Sequence, residues 1–211
     1  MKLIPNEVSK SNVNTPTPRP YRQTARAAAA AETGRRITTA FLARLNEQWY
    51  DEITLEQIAE DAGVTVQTIV RRFGGKAGLL ASAIEEMKGA AKKRRAATPG
   101  DLEQIVRSLI DDYEAMGDTL IRLLALEERH PILHEHLTLA RGWHRQWLSE
   151  VLAGAFMHLR PLDRNSAIDA IVVATDVYAW KLLRRDLRRS VLAVRRTLES
   201  LIRSTIALYS S

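Results

Sequence analysis

Cysteine is absent from the 211 residues. That excludes a disulfide-stapled scaffold, a thiolate nucleophile and any Cys-based zinc or iron–sulfur site. Aromatic residues make up only 6% of the chain, and no apolar run approaches the roughly 18–20 residues needed to span a bilayer. The first dozen residues lack the apolar stretch of a signal peptide. These absences lead us to expect a soluble protein of the cytoplasm, without membrane contact. Also missing are G-x-S-x-G, H-E-x-x-H and any paired-acid motif, so hydrolytic chemistry is not expected. The Gly74-Gly75-Lys76-Ala77-Gly78 run is not a phosphate loop, because Ala77 stands where Ser or Thr must follow the lysine and the run follows a helix. No cofactor and no metal are expected. His130 and His134 stand four apart, but Pro131 falls between them.

What is present is an ordinary globular composition, 45% hydrophobic and 27% charged, sized for one medium domain or two small ones. Lys and Arg number 31 against 25 Asp and Glu, and the excess is placed unevenly. Residues 1–98 hold 16 basic and 10 acidic side chains; residues 99–211 hold 15 of each. A basic module facing a polyanion, joined to a neutral module, fits that asymmetry.

Four of the seven prolines lie in residues 1–20, which we expect to be a disordered tail, with Lys2, Lys10, Arg19 and Arg22 available as a basic arm. From Tyr21 onward the pattern is helical throughout. Ile37, Ala40, Phe41 and Leu45 form one apolar stripe, two short helices follow at 54–62 and 65–73, and a fourth carries Leu79, Leu80, Ala83, Ile84 and Met87. Pro99-Gly100 marks the boundary between a domain at 21–98 and a second at 99–211. In the second, a helix starts after Asp101. Others are expected near 118–129, 132–158, 164–186 and 190–209, with breaks at Gly117, Pro131, Pro161 and the Arg188-Arg189-Ser190 corner.

The segment 53–80 carries most of the chemistry. Thr54 and Gln57 make a T-x-x-Q capping box that starts one helix. Gly63 supplies the positive φ of a helix-ending turn, and Thr65 caps the next helix. This is the outline of a helix-turn-helix. On the second helix Val66, Ile69, Val70 and Phe73 share an apolar face. Gln67, Thr68, Arg71 and Arg72 share a polar face without an acid. Arginine can donate bidentately to guanine, glutamine can pair with adenine, and a threonine methyl can meet a thymine methyl, so this face suits a major groove.

The segment resembles the DNA-binding domain of the tetracycline-repressor (TetR/AcrR) family. The residues that carry the likeness are Ile58-Ala59, Ala62-Gly63-Val64-Thr65, Thr68-Ile69-Val70, Arg72-Phe73, Lys76 and Leu79-Leu80, with Ile37, Ala40, Phe41, Leu45 and Tyr50 upstream. Val70 stands where the family usually has a phosphate-contacting tyrosine, and Arg72 where it often has His or Tyr. The resemblance implies an all-α protein with an N-terminal three-helix DNA-binding domain and a C-terminal helical domain for ligand binding and dimerisation. It also implies double-stranded operator DNA, a small-molecule effector and a second copy of the chain as partners. The DNA contacts expected are Thr54, Thr65, Val66, Gln67, Thr68, Arg71, Arg72 and Lys76, the last gripping phosphate with the free N–H groups of its helix end.

The second half has no motif to align. If it holds a ligand pocket, Tyr113, Met116, Trp147 and Tyr178 could line it, with Glu127, His144 or Asp176 as the polar handle. Its last two helices are expected to pair across a two-fold axis through Ile171, Tyr178, Leu182, Leu198, Leu201, Ile202 and Thr205. The reading at this point is a DNA-binding regulator, a ligand-responsive repressor acting as a homodimer on a palindromic operator. Its rivals are a ligand-independent activator or DNA-organising protein, and a small-molecule-binding protein or enzyme with a vestigial helix-turn-helix.

Overall fold

The computed structural model describes residues 19–209, which are helical with no strand among them. The expected tail lies outside the described residues, apart from Arg19 and Pro20, which begin the first helix. Ten α-helices follow one another: α1 (Arg19–Leu45), α2 (Leu55–Ala62), α3 (Val66–Phe73), α4 (Lys76–Arg94), α5 (Leu102–Ala125), α6 (Pro131–Val151), α7 (Ala153–Phe156), α8 (Pro161–Ala174), α9 (Val177–Lys181) and α10 (Val191–Tyr209). A π-helical turn, Leu182–Asp186, continues α9. Arg188 then takes a left-handed φ of 52° at the corner before α10.

Two apolar cores organise these helices. One gathers Ile37, Phe41, Ile58, Ile69, Leu79 and Leu80 from α1–α4 together with Leu123, Leu126, Leu133 and Leu137 from the end of α5 and the start of α6. The other joins Ile105, Leu109, Tyr113, Trp147, Ile171, Trp180, Leu198 and Ile202. The first core therefore continues past Pro99 and is closed by residues of the second half. Polar bonds hold the same seam. Arg122 donates to the Leu45 carbonyl at the end of α1 (2.8 Å), Thr119 donates to Asn46 (2.7 Å), and His130 meets Asp51 at 2.6 Å.

One expected break is absent, and an unexpected one appears. Gly117 does not end a helix, since α5 runs through it. The indole of Trp180 lies against its Cα, in the space a Cβ would occupy. This glycine serves close helix packing. The expected helix 164–186 is instead broken at Thr175-Asp176, where the Asp176 carboxylate caps α9 by accepting from the Tyr178 N–H (2.8 Å). Pro131 and Pro161 each stand at the first position of a helix, where a missing N–H costs nothing.

Candidate DNA interface and regulatory cavity

The helix-turn-helix forms from local chemistry. The Thr54 hydroxyl accepts from the Gln57 N–H (3.2 Å) while the Gln57 side chain accepts from the Thr54 N–H (2.8 Å), so both ends of the capping box are made. Gly63 closes α2 at φ 62°. Thr65 starts α3, its hydroxyl accepting from the Thr68 N–H (3.2 Å) and sharing a hydrogen bond with the Thr68 hydroxyl (3.0 Å). Arg44 of α1 braces the motif through Asp61 of α2 (2.5 Å). Ile69 is fully buried beneath α3.

On the outer side, Gln67, Arg71 and Arg72 are exposed, Thr54 and Thr65 are exposed at the helix starts, and Val66 and Thr68 are half-buried. Val70, read from its spacing as part of the apolar face, is 45% exposed and belongs to the outward face. It sits at the edge of the stripe on a helix of only eight residues, and no neighbouring helix covers that edge. Arg72 lies across Gly34 of α1 and over the Phe73 ring (5.8 Å), so α1 fixes its direction. Lys76 starts α4 with its ammonium over the Tyr50 ring (4.3 Å) and 3.5 Å from the Asp51 carbonyl. Burial lowers its pKa from the ordinary lysine value, against the pull of the Asp51 carboxylate. The face as a whole presents two guanidiniums, one amide and two threonine hydroxyls from one short helix and its cap, with Lys76 at its flank. It can donate to guanine and phosphate and pair with adenine.

α4 is 19 residues long, about 28 Å at the α-helical rise. It packs on α1 and α3 and also on α5 and α6. Beside it, between the two cores, lies a cavity of about 270 Å³. Of the residues expected at a pocket, Tyr113, Met116, His144, Asp176 and Tyr178 line it. Glu127 and Trp147 do not: Glu127 pairs with Arg141 and His134, and the Trp147 indole donates to the Arg95 carbonyl (3.1 Å). Met87, Leu120, Leu123, Leu124, Leu137 and Trp143 complete most of the apolar wall.

Two residues that sequence reasoning missed, Arg95 and Asp112, make the polar end of this cavity. Arg95, the residue that follows α4 and caps its end, is 6% exposed. Its Nε donates to Asp112 Oδ2 (2.7 Å), while the Nε of Arg94 donates to Asp112 Oδ1 (2.7 Å). Arg95 Nη1 also donates to His144 Nδ1 (2.9 Å), and since a guanidinium only donates, that nitrogen is an acceptor. The proton of the neutral ring therefore sits on Nε2, which donates to the Thr175 hydroxyl (3.1 Å); that hydroxyl in turn donates to the Ile171 carbonyl (2.7 Å). Burial first, and then the Arg95 charge, lower the His144 pKa to about 3. Tyr113 donates to the Thr175 carbonyl (3.0 Å), and burial raises its pKa to about 12. The rings of Tyr113, Trp143 and Trp147 stand 5.1–5.5 Å from the Arg95 guanidinium. No short sequence pattern signals this cluster, because its members lie 17 to 49 residues apart.

The face expected to meet a second copy divides. Ile171, Leu198 and Ile202 are buried in the subunit's own core, where no partner reaches them. Tyr178, Leu182 and Leu201 are exposed, and Thr205 is half-buried. Their exposed apolar neighbours on α8 and α10 are Leu162, Val173, Leu192 and Leu208. His130 and His134 go to separate carboxylates, Asp51 and Glu127. Among the described residues no group of three or more His, Asp or Glu is placed to hold a metal ion. None of their helices is long and apolar enough to cross a membrane.

An all-helical chain with a helix-turn-helix of this geometry is of the class of DNA-binding transcriptional regulators. Residues 38–83 match the sequence model of the bacterial regulatory proteins of the tetR family. No curated protein matches the sequence. Among solved structures, the fold is similar to that of a transcriptional regulator from Rhodococcus sp. Rha1, with 16% identity, 82% of this chain and 96% of the other covered, and a TM-score of 0.67. It is similar also to a TetR-family transcriptional regulator from Rhodococcus sp. (19% identity, 83% and 99% covered, TM-score 0.65). A third is the fatty acid degradation regulator FadR from Bacillus halodurans (20% identity, 81% and 94% covered, TM-score 0.58). At these identities the likeness speaks for the fold alone.

Proposed function

We propose that the chain is a ligand-responsive repressor that binds a palindromic operator as a homodimer and releases it when a small molecule enters the cavity. The observation that carries this reading is the course of α4. It starts at Lys76, beside the outward face of α3, and ends at Arg94 and Arg95, in the wall of the cavity. A ligand that alters the packing of the far end shifts the population of positions available to the near end. Thr54, Thr65, Gln67, Thr68, Arg71 and Arg72 contact DNA, with Val66 and Val70 as apolar contacts beside them and Lys76 on phosphate. One eight-residue helix reads too few base pairs for tight specific binding, so two copies are needed, set one helical turn of DNA apart. The exposed Leu162, Val173, Leu192, Leu201 and Leu208 offer the apolar face for that pairing. The protein acts by binding and has no enzymatic step.

Selection of bound sequences from a random DNA pool tests the reading, and a two-fold symmetric site is the expected outcome. On that site Lys76→Ala lowers affinity evenly across sequences and reduces the salt slope by about one unit. Arg71→Ala instead relaxes the preference at one base pair by roughly 1–3 kcal/mol. A monomer by sedimentation at micromolar concentration, or no enriched sequence, overturns the proposal.

A further inference from the structure

We infer that the cavity takes a small lipophilic carboxylate, with its anionic head on Arg94 and Arg95 and its tail along Met87, Met116, Leu120 and Leu123. This rests on the reading of the cavity as the regulatory site and names the class of its ligand. Charge gives the first argument. Two guanidiniums face one carboxylate at the polar end, and His144 stays neutral there. Of the other acids in the lining, Glu85 pairs with Lys88 (3.4 Å), and Asp176 keeps its charge while one oxygen caps α9. Arg141, also in the lining, is held by Glu127.

Donors give the second. Arg94 reaches Asp112 through Nε alone, and its two terminal nitrogens donate to no acceptor among the described residues. Asp112 already shows that this guanidinium pair receives a carboxylate. A second one, from a ligand, would take the remaining N–H groups of Arg94 side by side. A neutral hydroxyl or carbonyl oxygen could accept from those donors, but without the charge assistance and paired geometry that a carboxylate brings. A cationic one would meet two guanidiniums at the polar end, since both Asp112 oxygens are committed.

Size and wall give the third. At about 270 Å³ the cavity lies just below the range of roughly 300–1,000 Å³ that holds drug-sized ligands. It has the volume of about nine liquid waters, which suits a ligand on the order of ten non-hydrogen atoms. Its flank is leucine and methionine, and the flexible thioethers of Met87 and Met116 adapt to an unbranched tail.

The test is a titration of the full chain, without DNA, with octanoate, 1-octanol and octyltrimethylammonium, followed by tryptophan fluorescence. Trp143 lines the cavity 5.1 Å from the Arg95 guanidinium and reports the head group. Octanoate is expected to bind at least tenfold more tightly than either of the others. Arg94→Gln, at a half-buried position, removes that preference by weakening octanoate binding far more than 1-octanol binding. Asp112→Asn frees the guanidinium pair and strengthens octanoate binding; if that variant does not fold, Arg94→Gln decides alone. Equal binding of octanol or the ammonium, or an octanoate affinity that Arg94→Gln leaves untouched, overturns the inference. Release of the selected operator is measured separately. Octanoate that binds as expected without loosening DNA supports this ligand class and removes the ligand-responsive reading. Release by another class of compound, with no octanoate binding, does the reverse.

Discussion

The chain contains two Arg-Arg pairs at the ends of neighbouring helices, and they have opposite fates. Arg71-Arg72 lies in the last turn of α3, and Arg94-Arg95 closes α4. Both places suit a cation, because the carbonyl end of a helix carries partial negative charge. Yet Arg71 and Arg72 are exposed, whereas Arg95 is buried and shares Asp112 with Arg94. What separates them is the element that each pair faces. Arg71 and Arg72 face outward, with Arg72 resting across Gly34 of α1. Beyond the end of α4 stand α5 with Asp112 and α6 with His144. The same dipeptide lies on an outward face in one place and builds the wall of a cavity in the other.

The largest effect is expected at Asp112. Removing this carboxylate leaves a buried and a half-buried guanidinium with no counter-charge, which costs about 3–5 kcal/mol. Urea denaturation of Asp112→Ala should show a loss of that size. The matching change on the other pair, Arg71→Ala, should leave stability within about 0.5 kcal/mol, since it touches solvent alone. If both substitutions cost the same, the two pairs do not differ in the way their surroundings imply.

This contrast also explains what was legible in the sequence. The helix-turn-helix is built from contacts no more than five residues apart, Thr54 with Gln57, Thr65 with Thr68, and the Val64 N–H with the Ala59 carbonyl. Spacing alone therefore identified it. Val70 escaped because a stripe pattern does not say where the covering helix ends. The Arg95 cluster escaped for a stronger reason. KKRR at 92–95 has the look of a solvated basic end, and only tertiary packing brings Asp112 and His144 to it. The same limit applies to Gly117, whose role depends on an indole 63 positions later, and to Ile171, Leu198 and Ile202. Their helical spacing marked them as apolar, but could not say whether their own core or a second copy would cover them.

A middle-sized effect is expected from pH. His144 has a folded-state pKa of about 3, against an unfolded value near 6.5. Between those values the unfolded chain binds the proton and the folded chain does not. Its contribution to stability is complete above about pH 6.5 and is lost progressively as the pH falls toward 3. The slope is about 1.4 kcal/mol per pH unit, so near pH 5 roughly 2 kcal/mol is gone. His144→Gln removes this titration. Its denaturation free energy should fall less between pH 7 and pH 5 than that of the parent, by about that amount. Parallel pH profiles for the two proteins would mean that the ring titrates in the folded state as it does in water, and that the cluster beside Arg95 is wetter than its burial indicates.

The smallest effect lies where the two regions touch. His130 precedes α6, bonds Asp51 at 2.6 Å and sets its ring edge-on to Tyr50, 5.1 Å between centroids. The face of Tyr50 carries the Lys76 ammonium. His130 and Asp51 are partly exposed, so the pair contributes about 0–1 kcal/mol, and His130→Ala should barely move the denaturation midpoint. It removes one support of the ring on which Lys76 rests, while every charge of the reading face stays in place. Operator affinity should then change by no more than about fivefold, the whole worth of such a pair, and the salt slope should be unchanged, because the number of phosphates neutralised is the same. Binding isotherms at several salt concentrations check this. A slope lower by a full unit would show that Lys76 had left its phosphate. The seam between the halves would then be setting the DNA contact directly, and α4 would not be the sole route from the cavity to the operator.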